Sequence, residues 1–382
     1  MYEEVSEHCF YIFYVSFSKK ENTMTQSSPL LIYGAYGFTG KLIVAEAVRR
    51  GLRPVIAGRN RDKTEALARQ YDLEYRVFSL DDGLALRDAL KEVKVILQCA
   101  GPFIHTVRPV LEACLTTQTH YVDITGEIEV FEYLAAQSGR AASRGIVLLP
   151  GSGFDVVPSD CLAAHLKSLL PDAHTLTLAF KGVSRMSRGT ALTMVENLGK
   201  GGAIRRDGKI VEVPAAHEVM TMDFGDGEMS TAACIPWGDV STAYYSTGIP
   251  NIQVFMALPK PMMEQMRQAY RWRWLLKLSI VKNYLKKQAE KRYTGPDDKL
   301  LKEGKSYLWG RVENKEGQRR EARLITPEGY RLTSLTAVEI ARRLLEPHQM
   351  KGFYTPSKAF GKDFILEFEG VERTDLGAVP LS

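Results

Sequence analysis

Leu30-Leu31-Ile32-Tyr33-Gly34-Ala35-Tyr36-Gly37-Phe38-Thr39-Gly40 is the stretch from which the rest of the chain is read. An apolar run leads into three glycines, with two residues between each and the next. Leu42, Ile43, Ala45, Ala47 and Val48 then recur at helical spacing up to Arg49-Arg50-Gly51. The pattern predicts a buried strand, a tight turn and a helix. Gly34 takes a backbone angle that other residues resist. Gly37 lets backbone N–H groups approach a pyrophosphate, and Gly40 lets the helix pack closely on the sheet. The anion would rest on the helix N-terminus, where free N–H groups and the dipole favour negative charge. Tyr36, Phe38 and Thr39 complete the turn and are assigned to the cofactor with the glycines. A glycine triplet alone could be a turn without a ligand. The second apolar run, Pro54-Val55-Ile56-Ala57-Gly58, arrives where a strand–helix–strand unit requires it and decides for dinucleotide binding.

The residues after that run choose the dinucleotide. NAD-binding strands usually end in Asp or Glu, which accepts from the ribose 2′-OH. Here the position is Gly58, followed by Arg59-Asn60-Arg61-Asp62-Lys63. A carboxylate would repel a 2′-phosphate, whereas Arg59, Asn60 and Lys63 would bind it. NADP(H) is therefore expected over NAD(H), the alternative being a solvated basic helix start.

The 382 residues suggest two domains. Apolar content of 45% and charged content of 25% are those of a globular protein. A net charge of +5 does not itself point to nucleic acid, and no zinc-finger or RNA-binding signature accompanies it. Cys9, Cys99, Cys114, Cys161 and Cys234 are scattered without metal-ligand spacing, which suits reduced thiols in the cytoplasm and no metal. Residues 1–28 read as an extension. Their apolar run Phe10–Phe17 is too short to span a bilayer, and Glu3, Glu4 and Glu7 have the wrong sign for a secretory leader. Met24, six residues before the first strand, is the expected natural start.

Strand and helix patterns alternate through Pro150, which predicts a doubly wound parallel sheet. Val93–Ala100 is a strand broken by Gly101-Pro102-Phe103. Cys99, Ala100, Gly101 and Pro102 at its carboxyl end should border the nicotinamide half of the cofactor. His120–Glu127 is a strand ending in polar groups, and Ser159 or Asp160 is expected to cap the helix Cys161–Leu170. From Leu176 alternation and hairpin signals, among them Asp207-Gly208, predict an α+β domain with a mostly antiparallel sheet. The expected division is a Rossmann domain over 29–152, rejoined by 333–382, and a substrate and dimerisation domain over 153–332. Residues 262–292 carry nine Lys or Arg against two Glu, interleaved with Trp272, Trp274, Leu275, Leu278, Ile280 and Leu285. They read as a surface helix packed on its own domain or a partner subunit; peripheral contact with an anionic membrane is the alternative.

Four motifs together resemble the saccharopine dehydrogenase-like oxidoreductases, most closely the branch that includes trans-acting enoyl reductases. They are Gly34–Gly40, Cys99-Ala100-Gly101-Pro102-Phe103, His120–Glu127 and Gly151-Ser152-Gly153-Phe154-Asp155-Val156-Val157-Pro158-Ser159-Asp160. The resemblance is specific over residues 30–165. It implies a Rossmann domain, a second α+β domain used for substrate and pairing, hence a homodimer, and NADP(H). It also implies hydride transfer involving an enoyl, imine-like or lipid-like substrate, but not saccharopine, for whose carboxylates no set of arginines is evident. Tyr354 and Lys358 have the Tyr-x-x-x-Lys spacing of short-chain dehydrogenases, but Pro356 between them argues against a helical dyad. The candidates for moving a proton are Asp155, Asp123, Arg188 and Tyr244, with Glu127, Thr190, Asp239 and Thr242 near them. Each could equally be a cap or a buried hydrogen-bond partner. A non-catalytic NADP sensor or membrane-surface scaffold is the rival class.

Overall fold

The structure, a computed structural model, describes residues 29–182, 185–276 and 278–378. The proposed extension before Pro29, with its Met24 start, lies outside them. The first half comprises β1 (Leu30–Tyr33), α1 (Phe38–Arg49), β2 (Val55–Gly58), α2 (Arg61–Tyr71), β3 (Tyr75–Val77), α3 (Gly83–Leu90), β4 (Val95–Gln98), α4 (Phe103–Thr117), β5 (His120–Asp123), α5 (Ile128–Ala136), α6 (Ser138–Ser143), β6 (Val147–Leu149) and α7 (Val157–Leu169). The second half comprises β7 (Thr175–Gly182), α8 (Arg188–Asn197), β8 (Gly202–Arg206), β9 (Lys209–Val213), β10 (Val219–Asp223), β11 (Met229–Cys234), α9 (Asp239–Thr247), β12 (Asn251–Ala257), α10 (Lys260–Arg271), α11 (Arg273–Leu276), α12 (Ser279–Arg292), α13 (Asp298–Glu303), β13 (Lys305–Glu313), β14 (Arg319–Pro327), α14 (Gly329–Leu345), β15 (Gly352–Phe353), α15 (Pro356–Phe360) and β16 (Glu372–Ala378).

The first sheet has the order β15-β6-β5-β4-β1-β2-β3, and its pairs are parallel. Its strands β1, β2, β4 and β6 are fully buried, mostly apolar runs because both faces are covered. Leu30, Ile32, Ile56, Val95 and Leu97 pack into one core. Leu31, Tyr33, Val55, Ala57 and Ile96 point into the opposite one. The first core runs on without a break into the second sheet through Leu162, Leu166, Leu176 and Leu178. That second sheet has the order β10-β11-β12-β7-β13-β14-β16, with the hairpin β8–β9 attached through β12. Only the β7–β12 pair in it is parallel. The fold class is the one expected from the sequence.

Several local expectations need correction. α4 begins at Phe103, directly after the break at Gly101-Pro102, because Glu127, distant in sequence, holds its first N–H groups. Neither Ser159 nor Asp160 caps α7, which starts at Val157. Ser159 donates instead to Asp239, and Asp160 accepts from the Ser357 amide. The stretch 262–292 is three helices rather than one. The described part of 333–382 divides between the two sheets: α14 packs on α1 and β15 extends the first sheet, whereas β16 pairs with β14 in the second.

Candidate functional site

The strand order reverses between β1 and β4, which is where open parallel sheets hold ligands, beyond the carboxyl ends of the strands. The glycine-rich turn lies there. Gly34 has φ +78°, and a Cβ on it would stand 2.9 Å from the Ala100 Cβ across the crevice. A Cβ on Gly40 would stand 2.3 Å from the Gly34 carbonyl oxygen, so only glycine lets α1 approach the turn this closely. Gly37 is the N-cap residue of α1, and no side chain caps that end. The first amides of α1 thus point outward unfilled, as a pyrophosphate would need. The ring of Phe38 is held on the other side. It meets Tyr330 edge-on at 5.1 Å and crowds Gly295, so the second domain braces the start of α1. Thr39 is half-buried beside it.

At the end of β2 the structure explains Gly58. A Cβ there would lie 2.4 Å from the ring of Tyr36, so Tyr36 covers the place where an Asp or Glu would hold a ribose hydroxyl. Arg59 and Lys63 are exposed, and neither side chain makes a hydrogen bond or ion pair with a described residue. Asn60 differs from the expectation. Its side-chain oxygen accepts from the Lys63 amide at 3.0 Å and caps α2, which leaves only its NH2 group for a phosphate. Two cations beside a missing carboxylate suit a 2′-phosphate.

Across the crevice, the Gln98 side-chain oxygen accepts from the Ala100 amide at 3.0 Å. Gln98 is fully buried, and its amide nitrogen has no partner among the described residues. Sequence reasoning missed this residue, although a Gln closing an apolar strand was a signal. Burial pushes the Cys99 thiol far up, so Cys99 is a small inert neighbour of the cleft and not a nucleophile. Gly101 and Pro102 carry the chain into α4, with Pro102 as its N-cap. Glu127 accepts from the amides of Phe103 at 2.7 Å and Ile104 at 2.9 Å, so it serves as that helix's cap.

The candidate acids separate clearly. Asp123 is fully buried and accepts from the Tyr121 hydroxyl at 2.5 Å, the Thr125 amide at 3.0 Å and the Gly151 amide at 2.9 Å. It ties β5 to the end of β6. Burial raises it to about 6, against the lowering effect of those bonds. Asp155 is different. Its carboxylate presses on Gly126, where a Cβ would stand 2.4 Å from Oδ2, and it accepts no hydrogen bond from any described residue. Desolvation alone brings it to about 7. Phe154 meets Phe180 edge-on, and Phe180 stacks against Trp237 at 4.4 Å, which gives this corner apolar walls. Asp239 is fully buried: one oxygen accepts from Ser159 at 2.8 Å, the other has no partner among the described residues, and burial holds the group well above the carboxylate range.

Two other candidates are placed elsewhere. Tyr244 follows Asp239 by five residues, about 140° round α9, and lies under the Arg205 guanidinium at 4.3 Å. That guanidinium is in turn fixed by Val240, Gly208 and Glu132. Tyr244 is a packing residue of the β8–β9 hairpin. Arg188 is exposed at the first position of α8. Tyr354 precedes α15 and Lys358 lies within it, so the two do not share a helix. Among the described residues no group of three His, Cys, Asp or Glu could hold a metal, and no helix is long and apolar enough to cross a membrane.

Residues 30–149 match the family model of the saccharopine dehydrogenase NADP binding domain. A saccharopine dehydrogenase-like oxidoreductase of Bos taurus is 26% identical over 187 residues, covering 43% of this chain and 44% of that protein. A Mycobacterium tuberculosis protein named as a trans-acting enoyl reductase is 29% identical over 186 residues, covering 44% of each. The matched stretch thus spans under half the length of these relatives. The structure of a saccharopine dehydrogenase (L-Glu forming) from Saccharomyces cerevisiae overlays on 91% of this chain and 99% of its own, with a TM-score of 0.62 at 11% identity. The fold is shared along nearly the whole chain. The sequence resemblance drawn from the motifs holds over the first domain, and the family matched there is defined by NADP binding.

Proposed function

We propose that this chain is an NADP(H)-dependent oxidoreductase acting on a carbon–carbon or carbon–nitrogen double bond in an apolar, lipid-like substrate. The observation that carries the reading is the pairing of an uncapped α1 start, beside free Arg59 and Lys63, with an unpartnered Asp155 at the same edge of the sheet. The turn Gly34–Gly40 would hold the pyrophosphate, Arg59 and Lys63 the 2′-phosphate, and Gln98 to Pro102 would border the nicotinamide. When bound, NADPH supplies the hydride.

The chain's own part is the proton. Asp155 stays protonated to about pH 7 because burial disfavours its charged form. It can therefore donate to the substrate atom next to the one reduced, or take that proton back in the reverse direction. Phe154, Phe180 and Trp237 would exclude water and accept an apolar chain. A pure sensor would have no use for a neutral, unpartnered carboxyl in this place. The free thiols of Cys99, Cys114, Cys161 and Cys234 support a cytoplasmic site.

The test is NADPH oxidation against a panel of enoyl thioesters and imines. The rate should fall as pH rises through about 7, and Asp155→Asn should remove at least about 100-fold of it. Stability should fall in the same direction. The folded pKa of about 7 lies above the 3.8 of an unperturbed carboxyl, so stability is full below that value and is lost as pH rises through 7. Asp155→Asn should then melt at or above the wild-type temperature at pH 8. An unaltered rate in that variant would remove Asp155 from the chemistry.

A further inference from the structure

Ten large apolar side chains are exposed among the described residues, and half of them fall within 272–284. They are Trp272 (58%), Trp274 (61%), Leu278 (50%), Ile280 (84%) and Tyr284 (61%). Scattered exposed apolar groups need no explanation, but this concentration does. The helices α10, α11 and α12 that carry it are fastened from beneath. Leu285, Ala289 and Tyr293 cluster with Ala191 and Val195 of α8 and with Leu198 just beyond it. Lys282 and Lys286 pair with Glu196 of the same helix at 3.6 and 2.6 Å. Gly199 abuts the Arg273 backbone closely enough that a Cβ would lie 3.2 Å from its carbonyl oxygen.

The inner face is therefore satisfied, and the outer one is not. On α12, Ile280, Tyr284 and Lys287 follow at intervals of four and three, one stripe facing away from α8. Trp272 and Trp274 flank Arg273 where α10 gives way to α11. Arg271 and Lys287 are exposed and make no ion pair with a described residue, while Arg273 lies over the Tyr270 ring at 4.6 Å. Tryptophan and tyrosine amid arginine and lysine make a surface that is apolar in its middle and cationic at its margin. A bilayer interface with anionic headgroups has the complementary profile.

We propose that the outer face of α10–α12 docks this protein on an anionic phospholipid surface. Trp272, Trp274, Leu278 and Ile280 enter the boundary between headgroups and acyl chains, and Arg271, Arg273 and Lys287 meet the lipid phosphates and carboxylates. The surface is distinct from the nucleotide site. It stands on α8, whose first turn reaches that site: the Ser187 amide donates to the Tyr330 hydroxyl at 2.7 Å, and Tyr330 braces Phe38.

The experiment is flotation of the full chain with vesicles of phosphatidylcholine alone, and with about a third phosphatidylserine at low and raised salt. Tryptophan emission is followed in the same samples. The chain has four tryptophans, and Trp309 is buried and Trp237 half-buried, so a blue shift reports Trp272 and Trp274. The protein should float with the anionic vesicles only, blue-shift on binding and be released by salt. Arg271→Glu/Lys287→Glu should weaken binding by at least roughly fivefold per residue. Trp272→Ser/Trp274→Ser should weaken it by roughly tenfold or more and abolish the shift. Thermal melting checks that both variants remain folded. Equal binding to both vesicle types, no binding, or binding that folded variants retain would overturn the proposal. So would dimerisation that the tryptophan pair abolishes in the absence of flotation, which would assign the face to a second copy of the chain.

Discussion

Two helix starts stand side by side at the carboxyl edge of the first sheet, and they are finished in opposite ways. α4 begins at Phe103, and both oxygens of Glu127 are spent on its first amides. α1 begins at Phe38 behind Gly37, and no side chain reaches it. An unfilled helix start costs free energy that a cap would recover, on the order of 1 kcal/mol. The fold supplies a carboxylate where the amides serve structure and withholds one where they are open to an outside anion. The same contrast separates Asp123, whose oxygens are held by Tyr121, Thr125 and Gly151, from Asp155, whose oxygens are held by nothing described.

The contrast can be broken by making α1 resemble α4. Gly37→Asp places a carboxylate at an N-cap whose backbone, φ −66° and ψ 165°, already suits one. NADPH affinity should fall by about 100-fold, from lost phosphate bonds and like-charge repulsion, while the melting temperature holds or rises. Calorimetry and a thermal melt on one preparation check both. A smaller loss is expected at the other end of the nucleotide. Arg59→Ala should weaken NADPH by about tenfold or somewhat more, the worth of one charge-assisted contact, and leave NADH unchanged. The reverse experiment sharpens the comparison. In Glu127→Gln one of two acceptors on α4 is replaced by a donor, so stability should fall by about 1–2 kcal/mol and NADPH affinity should change by less than about twofold. Denaturant unfolding beside the same titration would show whether the two helix starts are independent.

The first domain was legible because its signals are local. The run Leu30 to Tyr33, the glycines at 34, 37 and 40 and the basic stretch from Arg59 each act within a few residues of themselves. The second domain showed its kind but not its plan. β7 pairs with β12 and β13, which come 76 and 130 residues after its start, and no window of sequence carries such a pairing. The site misreadings share that cause. Asn60 and Glu127 look like free polar groups until the amides they cap are in view, and Tyr244 looks like a candidate for moving a proton until Arg205 is placed over it. Gly58 was read as a missing carboxylate; that Tyr36 fills the space is a matter of packing, which composition does not carry.

Calorimetric titration of the full chain with NADPH and, in parallel, NADH goes straight to whether the start of α1 and the basic end of β2 are a nucleotide site. One NADPH per chain, bound at least about tenfold more tightly than NADH, is the expected result. Equal affinities would contradict the role of Arg59 and Lys63, and no binding of either would contradict the reading of the open helix start itself.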